Sequence, residues 1–185
     1  MQAIKALTER VSTGRLVSPA PSSDQIEVLL QAAMRAADHG RLQPWRFLLI
    51  KEEAREHLGE LFCRAALSSQ PDLTPEVQNK CRAMPQRAPL LLVVIARLAE
   101  HPKVPAEEQL LSAGAAAQNI VNTAFALGLG AMWRTGEMAY HPEVLAGLGL
   151  AANEKLVGYI YLGTPATPPA APKVSAVADF LQVWP

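Results

Sequence analysis

The chain has 185 residues and a mass of 19.9 kDa, enough to bury about 70% of its unfolded surface around one core. Half of the residues are apolar and 18% are charged, which excludes disorder as the main state. The 17 basic and 17 acidic side chains cancel, which excludes a general nucleic-acid binder or an acidic-tail protein and suits a chain that hides surface in an oligomer.

In chain order, the first dozen residues predict a short helix with Ile4, Leu7 and Val11 on one face. Val17 to Ser23 reads as a Pro/Ser loop, with Ser22 or Ser23 capping the next helix. Ile26, Leu29, Leu30, Ala33 and Ala37 form its apolar stripe, and Gly40 is its expected stop. Asp38-His39-Gly40-Arg41 then enters a polar loop, and Trp45 to Ile50 reads as a strand. Glu52 to Leu67 predicts a helix. Thr74-Pro75 opens another, with proline at its first position, and Arg87-Ala88-Pro89 closes that region.

Leu90 to Ala96 is a continuous apolar run with the character of a strand buried on both faces. Val104-Pro105 starts a long helix to about Leu127, stopped by Gly128 and Gly130. Met132 to Arg134 reads as a short strand, His141 to Ala146 as a short helix, and Lys155 to Leu162 as a strand closed by Gly163-Thr164-Pro165. The Pro-rich tail from Ala166 ends in an apolar tip, Phe180 to Trp184, long enough to leave its own subunit. Strands interleaved with helices suggest α/β layering around one sheet.

Cys63 and Cys81 are the only cysteines, no Cys-x-x-Cys exists, and the four histidines stand apart, so no metal site is expected. The first residues carry no apolar signal core. The most apolar stretch, Leu110 to Trp133, holds Ser112, Gln118, Asn119 and Asn122, which favours a buried helix over a membrane span. The cytoplasm is the expected compartment. Neither a Gly-x-Gly-x-x-Gly after a strand nor a Walker motif nor a Gly-x-Ser-x-Gly is present.

Three clusters carry candidate chemistry. Arg10 and Arg15 flank Ser12, with Thr13 and Gly14 between; this is either a solvated helix end or a phosphate cradle of guanidinium, hydroxyl and backbone N–H. His39 reads as a surface residue or as a general acid. Gly128 to Gly136 reads as a helix cap and turn, or as a close backbone approach to a flat ligand with Arg134 on its anionic end. Glu108, in the first turn of the long helix, is expected only to complement the helix dipole.

Taken together, Arg10-x-Ser12, the helix into Gln43-Pro44-Trp45-Arg46-Phe47, Gly130-x-x-Trp133-Arg134-x-Gly136 and Gly158-Tyr159-Ile160-Tyr161-Leu162-Gly163-Thr164-Pro165 resemble the nitroreductase family. The Met34-Arg35-Ala36-x-Asp38-His39 and Lys103-Val104-Pro105 stretches resemble its short, single-domain bacterial branch. The resemblance implies an α+β fold with a mixed central sheet wrapped by helices, in an intertwined homodimer with FMN at the subunit interface. It implies one domain over residues 1–185, with 166–185 as an extension reaching the partner subunit. NADH or NADPH is the implied co-substrate, and the implied partners are a second copy and a small-molecule acceptor, without nucleic acid or membrane.

By resemblance, Arg10 and Ser12 contact the FMN phosphate and ribityl chain, with Arg15 as the candidate cation for the N1 edge. Arg35 and His39 meet flavin, His39 from across the dimer and as a candidate proton donor. Ala131, Met132, Trp133 and Arg134 match the late segment beside flavin. Two departures stand out: Val11 and Gly14 replace basic residues of the common Arg-Arg-Ser-x-Arg/Lys motif, and Asp38-His39-Gly40-Arg41 replaces Ser-Ser-x-Asn. The implied reaction carries hydride from NAD(P)H to nitroaromatic or quinone-like acceptors by a ping-pong sequence. Reductive dehalogenation, flavin fragmentation, a flavin storage or regulatory module, and a cofactor-free dimerising domain are the competing expectations.

Overall fold

A computed structural model describes residues 2–184. Among the described residues, six α-helices and five strands follow one another: α1 (Ala3–Glu9), β1 (Leu16–Val17), α2 (Ser23–Ala33), β2 (Trp45–Lys51), α3 (Ala54–Ser69), α4 (Pro75–Ala83), β3 (Leu90–Arg97), α5 (Ala106–Ala126), β4 (Gly130–Arg134), α6 (Pro142–Gly147) and β5 (Glu154–Pro165). The sheet runs β2–β3–β5, and the free side of β5 takes β4 and then β1. Every pairing is antiparallel, so the mixed sheet expected from the resemblance has no parallel component among the described residues.

The apolar run of β3 is buried because helices cover both faces of the sheet. Leu91, Val93 and Ile95 pack with α3, α4 and α6, whereas Leu90, Leu92, Val94 and Ala96 pack with α2 and α5. Alternation on the pleat divides one strand between two cores. The small side chains of α5 (Ala113, Ala116, Ala117, Ala124) hold that helix close to the sheet.

Four expectations are corrected. First, α2 stops at Ala33, well before Gly40, although Ser22 caps it in a full capping box with Gln25. The Asp38 carboxylate accepts from the Leu42 and Gln43 amides at 3.2 and 2.7 Å and competes with further helix. Gly40 instead serves a tight turn at φ +76°. Second, Leu16–Val17 is a strand rather than part of a loop, paired with Pro165 and Thr164. Third, β5 therefore does not close at Leu162. Its terminal Pro165 sits where only a short edge partner is met. Fourth, the apolar face of α1 buries only Ala6 within the chain, leaving Ile4 and Leu7 exposed.

One ion pair anchors the β2 edge. Arg46 donates twice to Glu154, from Nε and Nη2 at 2.7 Å each, and once to the Gly149 carbonyl. This guanidinium holds the Glu154 carboxyl down at about 2 despite its burial.

Candidate functional site

Leaving α1, the chain turns at Arg10, whose Nη1 donates to Ser12 Oγ at 3.4 Å. The Thr13 amide donates to the Ala131 carbonyl at 2.8 Å, fastening residues 10–15 onto β4. Gly130 permits this closeness, whereas a side chain at Gly14 would make only ordinary contact. A Cβ on Gly130 would collide with the Leu16 side chain, and one on Gly14 would lie 3.5 Å from Met132 Cε and 3.7 Å from Arg134 Nη2. The loop borders a hollow of about 450 Å³ through Ser12, Thr13, Gly14 and Arg15, and the tail closes its other side through Pro168 and Lys173. Lys173 was not legible as a site residue, because nothing local in a Pro-rich tail marks a lysine that folds back on a loop so far upstream.

β4 alternates across the sheet. Ala131 and Trp133 join the α2/α5 side; Met132 and Arg134 point to the other, and the Arg134 guanidinium lies 5.7 Å from the Tyr161 ring centroid. Trp133 Nε1 donates to the Val157 carbonyl at 3.2 Å, and its indole fills the space where a Cβ on Gly158 would stand. The segment thus has a fixed backbone and one open cation.

Arg35 lies elsewhere. It lines a hollow of about 310 Å³ with Asp38, Arg41 and Trp45, at the start of β2. His39 Nδ1 pairs with Glu108 Oε2 at 2.6 Å, so Glu108 has a specific partner beyond the helix dipole. β2 and β4 are separated by β3 and β5, a lateral distance of about 14 Å. The chain therefore brings Arg10, Ser12, Arg15 and residues 131–134 together, and it sets Arg35 and His39 apart from them.

The nitroreductase family matches residues 7–164, most of the chain and all of the segments just described except the tail. The chain belongs to the nitroreductase family. Among relatives of this family, the protein of Escherichia coli (strain K12) provisionally named NAD(P)H nitroreductase YdjA is 39% identical over 165 residues, 89% of each chain. The structure of a nitroreductase-like family protein from Bacillus cereus superposes with a TM-score of 0.83 at 23% identity, covering 100% of this chain and 96% of that one. That of a nitroreductase with bound FMN from Bacteroides fragilis gives a TM-score of 0.73 at 19% identity, with 100% of both chains covered. The nitroreductase fold of this chain is thus shared at full length. Among the described residues, no helix is long and apolar enough to cross a membrane.

Proposed function

We propose that the chain is an FMN-dependent oxidoreductase that takes hydride from NADH or NADPH and reduces small nitroaromatic or quinone-like acceptors. The observation that carries this reading is the loop of residues 10–15 fastened to β4. Its donor set fits a phosphate monoester: the Arg15 guanidinium, the Ser12 hydroxyl, backbone N–H groups beside Gly14 and the Lys173 ammonium around one hollow, with the Arg10 guanidinium bonded to Ser12 Oγ next to it. The FMN in the Bacteroides fragilis structure and the NAD(P)H in the name of the Escherichia coli relative support the choice of cofactor and donor.

In this reading Arg10, Ser12 and Lys173 hold the phosphate end. Arg15 shares the hollow of Ser12 and Lys173, which favours the phosphate over the N1 edge as its partner. Ala131, Met132 and Trp133 provide a rigid wall for the flat ring, with Arg134 at its border. Arg35 and His39 complete the site from a second copy of the chain, a role supported by their distance from β4 and by the exposed apolar residues Ile4, Leu7 and Leu111. The exposed tail tip, with Phe180 and Trp184 outermost, extends residues 166–185 onto the partner. His39, held by Glu108, is positioned to give a proton to the acceptor.

Bound FMN supplies two-electron transfer from a reduced nicotinamide to the acceptor. For a nitroarene the balance is ArNO₂ + NAD(P)H + H⁺ → ArNO + NAD(P)⁺ + H₂O. Donor and acceptor use the site in turn, so initial rates of NAD(P)H oxidation at varied acceptor should give parallel double-reciprocal lines. Converging lines would contradict the alternating sequence, and no oxidation with any nitro or quinone acceptor would contradict the enzyme.

A further inference from the structure

A second cavity, of about 400 Å³, opens on the side of the sheet covered by α3 and α6. Phe62, Met84 and Met138 give it apolar walls, and Arg87 and Arg134 line it as well. The two tyrosines of β5 differ there. Tyr159 donates its O–H to the Met138 carbonyl at 2.9 Å. Tyr161 is buried as a residue, but its hydroxyl opens onto the cavity with no hydrogen-bond partner among the described residues. Arg87 and Arg134 likewise have no carboxylate within 4.0 Å among the described residues, although Glu137 also lines the cavity.

An exposed guanidinium, a half-buried one and the Tyr161 hydroxyl therefore face one space as donors, and Glu137 is the only carboxylate among its lining residues. A planar anion satisfies a guanidinium with two parallel hydrogen bonds, and a hydroxyl beside it can donate a third. The volume matches a single substituted ring rather than a dinucleotide. Burial pushes the Tyr161 hydroxyl up, against the opposing pull of Arg87 and Arg134, so the group keeps its proton at neutral pH and donates it in a hydrogen bond.

We propose that this cavity is an acceptor subsite selective for small aromatic acceptors that carry a carboxylate, with Arg87 and Arg134 holding the carboxylate and Tyr161 donating a further hydrogen bond. The assignment rests on the oxidoreductase reading above and adds the substrate class. Arg87, outside the segments that carry the family resemblance, is the residue that separates this subsite from the flavin site.

Two measurements on the FMN-loaded full chain test it. In the first, kcat/KM is compared for 4-nitrobenzoate and its methyl ester. The parent should favour the acid at least about tenfold, and Arg87→Gln should bring the ratio towards one, with a smaller fall for Tyr161→Phe. In the second, calorimetry compares benzoate with benzamide without any turnover. Benzoate should bind the parent at least about tenfold more tightly, and Arg87→Gln should abolish the difference. Equal kcat/KM for acid and ester in the parent, or a ratio that survives Arg87→Gln, would overturn the proposal. So would a raised KM for NADH or NADPH with an unchanged ratio, which would assign the cations to the nucleotide phosphates. Benzoate binding through Arg87 in a flavin-loaded protein that reduces neither nitro compound would overturn the acceptor role through failure of the oxidoreductase reading. A chain that retains no flavin separates that failure from a failure of the subsite.

Discussion

Two arginines on opposite edges of one sheet have opposite fates. Arg46 on β2 is closed off by a two-pronged bond to Glu154, a third bond to a carbonyl and the burial of its partner. Arg134 on β4 lies over the Tyr161 ring beside a cavity and beside Gly14, with no carboxylate within 4.0 Å among the described residues. The same chemical group is a structural fastener where the chain supplies its anion and, in the proposed function, a binding group where the chain withholds it. The difference separates a residue that holds the fold from one proposed to hold a ligand, although both stand on strands.

Breaking the closed pair should cost the most. Arg46→Met leaves the Glu154 carboxylate buried without its partner and should lower stability by about 2–3 kcal/mol at neutral pH, read from denaturant unfolding. The pair also sets a pH signature. The folded chain holds Glu154 down at about 2 against an ordinary value of 4.5, so its stabilisation is complete above pH 4.5 and is lost as the pH falls towards 2. The gap between parent and Arg46→Met should close over that range, and a gap that stays constant from pH 6 to 3 would assign the loss to packing instead.

Gly130→Ala should follow, at about 1–3 kcal/mol, because the added methyl meets the Leu16 side chain and pushes the 10–15 loop off β4. FMN affinity should fall in the same variant, since the loop carrying Arg10 and Ser12 would no longer be fastened to the strand. Arg10→Ala sharpens the comparison from the open side. It should weaken FMN binding about 10- to 100-fold in a fluorescence titration while leaving the thermal midpoint of the flavin-free chain in place. His39→Asn should be the mildest for stability. Its exposed pair with Glu108 is worth about 0.5 kcal/mol or less, so any larger effect on turnover would report the proton-donor role.

Much of the fold was legible where local signals were strong. The capping box at Ser22, proline at the start of α4, the seven-residue apolar run of β3 and the positive φ of Gly128 all act within a few residues. β1 was missed because two residues carry no period, and its pairing with Thr164 and Pro165 is formed across nearly the whole chain. The end of α2 was misplaced because the Asp38 carboxylate, rather than Gly40, decides where the backbone turns. The antiparallel sense of the sheet depends on how β2, β3 and β5 are threaded, which apolar periodicity does not record.

The candidate site was legible in the same uneven way. Arg10, Ser12 and residues 131–134 belong to the motifs that carry the family resemblance, and the Thr13–Ala131 bond brings them together. Arg87 and Tyr161 escaped notice as a pair because only the crossing of β5 past the turn before β3 places them on one cavity. Tyr159 and Tyr161 sit two apart, the spacing that puts both on one side of a strand, and this was the one signal available in the sequence.

The most direct test of the central claim is the absorbance spectrum of the purified full chain after incubation with FMN and gel filtration, before and after anaerobic addition of NADH or NADPH. The account predicts a retained flavin band that bleaches with at least one nucleotide. A chain that emerges without flavin, or with a band that neither nucleotide changes, would contradict it.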